Sequence, residues 1–115
     1  MPLIRERYLL IDMIASNKNV LQIINFALNF PASGNGVFGI QSLNISIPKG
    51  KTISIVGESG SGKTLTALSI LRLNPNTSII SNDSKIIFSG RDILKIDKKE
   101  LNAIRGNEIS MIFQE

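Results

Sequence analysis

The sequence predicts an α/β domain, and three observations support that prediction. Apolar and polar residues alternate over residues 20–30 and again over 43–47, a spacing typical of strands with one buried face. A β-branched run at 52–56 leads into a glycine-rich stretch, and the apolar residues after that stretch follow helical spacing. Hydrophobic residues make up 43% of the 115 positions, which is ordinary for one globular domain.

The N-terminal segment, residues 1–19, is predicted to be a helical extension that lies outside the domain. Ile4, Leu9 and Met13 fall at loosely helical spacing, and the polar residues 16–19 are typical of a loop. The domain itself is predicted to span residues 20–115.

Two strands are predicted before the glycine-rich stretch. In the first strand, apolar side chains occupy alternate positions, at Ile24, Phe26, Leu28 and Phe30. A turn-rich loop over residues 31–36 follows it. In the second strand, the apolar positions define one face of an antiparallel-type strand, at Leu43, Ile45 and Ile47. Residues 48–50 then form a tight turn.

The β-branched run at 52–56 is predicted to be a strand, and residues 63–73 a helix. The apolar residues that face the core from this helix are expected to be Leu65, Leu68, Ile70 and Leu71. Pro75 stops the helix because proline cannot continue it. A strand over 85–89, a turn over 90–92 and a helix over 93–105 follow, with Gly106 as the stop signal. Residues 108–113 are predicted to form a last strand that ends at Gln114.

The glycine-rich stretch matches the pattern G-x-x-x-x-G-K-S/T, as Gly57-Glu58-Ser59-Gly60-Ser61-Gly62-Lys63-Thr64. Its glycines permit backbone conformations that turn successive N–H groups towards a phosphate, and the following helix N-terminus adds positive potential. Lys63 is predicted to contact the β- and γ-phosphates of a nucleotide, and Thr64 to bind Mg²⁺. An ordinary glycine-rich surface turn needs neither a strand before it, nor a helix after it, nor the pair Lys63-Thr64. Their combination therefore favours a phosphate-binding loop.

Composition argues against several classes of function. Thirteen basic and nine acidic residues give a net charge of +4, and their scatter favours a solvated surface over a face that binds nucleic acid. The sequence contains no cysteine, which excludes disulfides and thiolate metal sites within it. No apolar run approaches the roughly 18–20 residues of a membrane-spanning helix, and no signal-peptide cleavage site follows the N-terminal apolar run.

Three stretches carry a resemblance to a known family: the loop GESGSGKT, the helix TALSILRL and the later IRGNEISMIFQE. With the strand pair ahead of the loop, they resemble the ATP-binding subunit of an ABC transporter, in the branch that imports oligopeptides, dipeptides and related compounds. The helix and Arg105-Gly106-Asn107 are most similar to the ATPases of microcin-C-type peptide importers. The resemblance covers residues 20–115. It implies a P-loop NTPase fold, the N-terminal part of an ABC ATPase core, in which an antiparallel β subdomain joins the P-loop strand–helix unit.

The resemblance implies roles for two residues outside the loop. Gln114 matches the Q-loop glutamine, whose carboxamide contacts Mg²⁺ and the attacking water, accepting and donating hydrogen bonds at once. Phe30 matches the aromatic residue on which adenine stacks, with Phe38 as a rival and core packing of Phe30 as the alternative. Catalytic roles are therefore expected for Lys63 and Gln114, metal binding for Thr64 and Gln114, and nucleotide binding for Phe30 and residues 57–64.

The resemblance also implies ATP and Mg²⁺ as ligands, and transmembrane permease subunits and a second ATPase subunit or domain as partners. It implies a peripheral location on the cytoplasmic face of a bacterial inner membrane. The family's LSGGQ signature, its Walker B strand with a catalytic Glu and its switch His have no counterpart in the sequence, which contains no His. We interpret the sequence as an N-terminal fragment ending at the Q-loop, and we expect ATP binding without efficient hydrolysis. The strand at 52–56 is then expected to have an exposed, aggregation-prone edge.

Two alternatives are compatible with the residues. A small non-transporter P-loop NTPase, either a kinase or a GTPase-like protein, needs an Asp after a long apolar run downstream of the loop. Asp83, Asp92 and Asp97 follow the loop, but none of them ends such a run. A non-catalytic nucleotide-binding remnant would retain the loop alone.

Overall fold

The computed structural model describes residues 18–31, 39–58 and 60–114, so the predicted N-terminal helix lies outside the described residues, except for its end. The described strands form one antiparallel sheet and comprise β1 (Asn19–Asn29), β2 (Gly39–Pro48), β3 (Ile79–Ile80), β4 (Lys85–Phe88) and β5 (Arg91–Asp92). Their order is β2-β1-β4-β5, and β3 pairs with the C-terminal end of β1. Two helices in the described part of the chain accompany the sheet, α1 (Lys63–Ile70) and α2 (Lys98–Ile104). Neither helix in this part of the chain is long and apolar enough to cross a membrane.

The central strand, β1, contains a bulge that changes which side chains are buried. Asn25 has a left-handed φ of 48°, and its N–H donates to Asn44 Oδ1 at 2.9 Å. The register with β2 shifts between Ile23 and Phe26, and both of these residues are buried. An inserted residue reverses the alternation of faces. The uninterrupted face predicted from Ile24 onward is therefore wrong, because Ile23 and not Ile24 joins Phe26 in the core.

The hydrophobic core joins the sheet to α2. Its buried side chains are Leu21, Ile23, Phe26, Leu28, Ile40, Ile86, Phe88, Ile93, Leu101 and Ile104. The helix is shorter than the predicted 93–105, because Asp97 caps it: its Oδ1 accepts a hydrogen bond of 2.8 Å from the Glu100 N–H. Gly106, with a φ of 76°, follows the helix as predicted.

Two predicted strands are not found among the described residues. Residues 52–56 have no regular secondary structure, and Val56 is 88% exposed. Residues 108–113 make only an isolated bridge between Arg105 and Ile109, and Ile112 is 97% exposed. A strand is held by hydrogen bonds to its neighbours, and no neighbouring strand in the described part of the chain pairs with either run. High β propensity alone does not make a strand.

The helix after the glycine-rich loop, α1, ends at Ile70, three residues before its predicted end. Of the four apolar residues expected to face inward, Leu71, its C-cap, is buried, and Leu65 and Ile70 are partly buried and pack against the core. Thr66 and Ser69 are also buried, and each hydroxyl donates to a backbone carbonyl one turn earlier, at 2.8 and 2.7 Å. These internal hydrogen bonds satisfy the hydroxyls, so the helix can bury a face more polar than predicted.

Candidate functional site

The glycine-rich loop lies between the segment 52–56, which has no regular secondary structure, and the N-terminus of α1. Gly60 and Gly62 have φ values of 84° and 96°, a left-handed conformation that side chains disfavour. A Cβ on Gly62 would lie only 3.0 Å from Cγ1 of Ile40 in β2, and one on Gly57 only 2.8 Å from Ser61 Oγ. The glycines therefore allow both the turns of the loop and its close packing. Ser59 lies outside the described residues.

The Lys63 ammonium lies within the curve of this loop. Its Nζ donates to the carbonyl of Gly57, and to that of Glu58 at 2.8 Å, and it lies 3.4 Å from Ser61 Oγ. All three acceptors are neutral oxygens. An ammonium forms stronger hydrogen bonds with charged acceptors, so phosphate oxygens can replace these contacts favourably. The loop thus holds a positive charge at the position where an anion would bind.

The N-terminus of α1 adds backbone donors to the same place. Gly62 is its N-cap, no side chain of the described residues caps this end, and the first turn contains no acidic residue. The first N–H groups of a helix have no acceptor within the helix, and the positive end of the helix dipole attracts anions. The loop and the helix end therefore fit a phosphate group in both charge and geometry.

A pocket of about 390 Å³ opens beside the loop. It is lined by Gly60, Gly62, Lys63, Thr64, Leu65 and Gln114. The structure thus brings Gln114 next to the loop, although β3, β4, β5 and α2 separate them along the chain. Hydroxyl and carboxamide oxygens are ligand types that Mg²⁺ accepts when phosphates and water complete its shell. No group of His, Cys, Asp or Glu in the described ranges is suited to hold a metal by itself.

Phe30 lies outside this pocket, at the end of β1. It is half-buried, packs against the hydrophobic core and lines a second pocket of about 340 Å³ together with Leu28, Gly39, Ile40 and Ser81. Ile40 is close to both pockets, because it also limits the space at Gly62. Core packing of Phe30 is therefore observed, and its stacking on adenine stays a prediction. The rival residue, Phe38, lies outside the described residues.

Two of the three aspartates that follow the loop have a role in the fold. Asp92 Oδ1 accepts hydrogen bonds from the N–H groups of Ile86 and Leu94, at 3.3 and 3.1 Å. Asp97 caps α2, and Asp83 is exposed. None of the three lines the loop pocket. The arrangement does not supply the Mg²⁺-linked Asp that a small kinase or GTPase-like protein needs.

Two arginines near the site had no role predicted from their chemistry. Arg105 joins the C-terminal end of α1 to the start of the segment that leads to Gln114, and Arg72 joins the same helix end to Ile96. The signal available in the sequence was weak, since arginines next to helix ends are common and most of them contact solvent.

Known proteins resemble this chain over most of its length. A family model described as ABC transporter matches residues 40–115. The chain is 38% identical over 96 residues to the oligopeptide transport ATP-binding protein OppD of Bacillus subtilis, covering 84% of the chain and 27% of that protein. It is 39% identical over 100 residues to the dipeptide transport ATP-binding protein DppD of Lactococcus lactis, covering 87% and 28%. For DppD of Bacillus subtilis the identity is 39% over 98 residues, covering 85% and 29%. The chain therefore spans less than a third of the length of these relatives.

Proposed function

Because the chain belongs to the ABC transporter family, we propose that its loop pocket binds Mg-ATP for the import of peptides or peptide-like compounds across a bacterial inner membrane. The observation that carries the proposal is the pocket that joins Lys63 and Thr64 to Gln114. The peptide class is supported by relatives named for oligopeptide and dipeptide transport. Assignment to microcin-C-type importers stays a prediction.

Different residues of the pocket are proposed to bind the phosphates and the metal ion. Lys63 exchanges the neutral carbonyls of Gly57 and Glu58 for phosphate oxygens, and the N–H groups at the start of α1 hold the same phosphates. The hydroxyl of Thr64 and the carboxamide of Gln114 are proposed to hold Mg²⁺. When bound, the ion neutralises negative charge on the phosphates.

The partners proposed from the family are the permease subunits and a second ATPase subunit or domain. The second ATPase unit would face the loop pocket and complete the ATP sandwich, and the permease would place the chain on the cytoplasmic face of the membrane. The kinase or GTPase-like alternative is disfavoured by the family match and by the structural roles of Asp92 and Asp97.

The chain by itself is expected to bind ATP and to hydrolyse it slowly. The described residues that line the loop pocket are neutral or basic, so none of them supplies a carboxylate to polarise an attacking water. Phosphate release at saturating Mg-ATP should be close to that of a Lys63→Ala chain, which serves as the control. A rate on the order of 1 s⁻¹, within the usual range of enzymes, would contradict this expectation.

Replacing Thr64 with valine tests the proposed metal ligand. The substitution keeps the side-chain shape and removes the hydroxyl, so ATP affinity measured with Mg²⁺ should fall about 3- to 10-fold, the scale of one lost polar contact. Affinity measured in a chelator should not change. Titration of a fluorescent ATP analogue, with and without Mg²⁺, gives both values.

The matched control is Thr77→Val, at an exposed threonine that does not line the loop pocket. It should bind ATP as the wild-type chain does. An equal loss for Thr64→Val with and without Mg²⁺ would exclude the metal role and leave only a packing effect.

A further inference from the structure

The Arg105 side chain holds the C-terminal end of α1. Its Nε and Nη2 donate to the carbonyl of Leu71 at 2.9 and 2.6 Å, and Nη2 also donates to the carbonyl of Arg72 at 3.2 Å. The last turn of α1 contains no basic residue of its own. A guanidinium at the carbonyl end of a helix is favourable because it meets unpaired acceptors and the negative end of the dipole. Arg105 provides this charge from a distant part of the chain, because it is the C-cap of α2.

A second guanidinium–carbonyl contact holds the same end of α1, and in this contact the helix end supplies the guanidinium. Arg72 has a left-handed φ of 54°, and the Leu73 N–H closes the helix end by donating to the Leu68 carbonyl at 2.9 Å. The Arg72 Nη1 donates to the carbonyl of Ile96 at 2.8 Å. The end of α1 and the chain segment from Ile93 to Arg105 therefore exchange guanidinium–carbonyl hydrogen bonds in both directions.

The backbone of Arg105 begins the turn that leads to Gln114. The Gly106 N–H donates to the Ile109 carbonyl at 2.8 Å, and the Ile109 N–H donates to the Ile104 carbonyl at 3.1 Å. Ile104 is fully buried, so the turn starts from a fixed point in the core. Residues 110–114 then run to the loop pocket without regular secondary structure.

We propose that Arg105 is a positioning residue that sets the place of Gln114 relative to the phosphate-binding loop. Both sides of the loop pocket are connected to Arg105: its side chain holds the C-terminal end of α1, which carries Lys63 and Thr64, and its backbone begins the turn after which the chain runs to Gln114. Because no ladder of hydrogen bonds holds residues 110–114 in the described structure, the anchoring of their starting point matters more than it would for a strand. Arg105 does not line the pocket and acts through Gln114.

The positioning role can be measured without nucleotide. The sequence contains no cysteine, so Ser61→Cys and Ser110→Cys introduce a unique pair of exposed sites for nitroxide labels, one in the loop and one after the turn. Arg105→Met should broaden the distribution of label–label distances about two-fold or more, because the carbonyl end of α1 loses its hydrogen bonds to the residue that begins the turn towards Gln114. Arg105→Lys should broaden it less, because lysine keeps the charge at the helix end and loses the planar fork.

Arg72→Met is the matched control for this measurement. It removes the same kind of side chain from the same helix end, but the lost contacts lead to Ile93 and Ile96 and not to the turn before Gln114. The distance distribution should then keep its wild-type width. An unchanged width for Arg105→Met, or equal broadening by Arg72→Met, would overturn the proposal.

A second measurement rests on the proposed function, since it uses Mg-ATP. If Arg105 acts through Gln114, Arg105→Met should weaken binding in the wild-type chain and have little further effect in a Gln114→Ala chain, a non-additivity of about three-fold or more. Additive losses indicate a general structural role and would reject the positioning role. If wild-type and Lys63→Ala chains bind Mg-ATP equally, the proposed function fails, while the label distances still decide the role of Arg105.

Discussion

Replacing Lys63 with alanine is expected to lower the affinity of the chain for Mg-ATP roughly 10- to 100-fold. The ammonium is held by neutral oxygens of the loop, and phosphate oxygens would give it charged acceptors in the same place. A hydrogen bond that involves a charged group contributes about 1.5–3 kcal/mol, and 1.4 kcal/mol corresponds to a factor of ten. Titration calorimetry with Mg-ATP measures the loss directly.

The matched control for this substitution is Lys99→Ala, which removes an exposed lysine of α2 that does not line the loop pocket. Its affinity should equal that of the wild-type chain, even though the net charge changes by the same amount. A loss shared by both variants would indicate a long-range effect of charge. Equal affinities for wild-type and Lys63→Ala would show that the loop is not the phosphate site.

The local part of the site could be predicted from the sequence, because a phosphate-binding loop is defined by its own backbone. The glycine spacing and the Lys63-Thr64 pair determine where donors and charge lie, and the structure confirms left-handed φ values at Gly60 and Gly62. The position of Gln114 beside the loop is different in kind. It depends on contacts far apart in sequence, and only the resemblance to a family indicated it.

The strands show the same division between local and long-range information. Alternation of apolar residues predicted β1 and β2, and β4 matches the short strand predicted over 85–89, but the alternation did not reveal the bulge at Asn25. Asparagine tolerates left-handed conformations, so this residue was the available signal. The runs at 52–56 and 108–113 have the composition of strands and lack paired neighbours in the described part of the chain. The sequence also contained a signal for the start of α2, since Asp97 and Glu100 have the spacing of a capping box.

The chain is expected to self-associate through apolar side chains that the fold leaves exposed. They lie on the two runs without partner strands, at Ile53, Ile55, Val56, Ile112 and Phe113, and Val56 and Ile112 are almost fully exposed. Exposed apolar groups of this kind promote association between chains, and burial of one large aliphatic or aromatic side chain contributes about 1.5–3 kcal/mol. Sedimentation velocity at several concentrations should therefore show species larger than a monomer.

Replacing Ile112 and Phe113 with serine should raise the concentration at which association begins by about ten-fold or more, since 1.4 kcal/mol corresponds to that factor. Ile79→Ser is the matched control, because Ile79 is also an exposed apolar residue but belongs to β3, which is paired with β1. It should leave association almost unchanged, because its backbone is already hydrogen-bonded within the sheet. A wild-type chain that is a monomer and unfolds in one cooperative transition would contradict this expectation. It would show that the exposed runs do not drive association, and the reason for their exposure would then lie in the folding of the loop region.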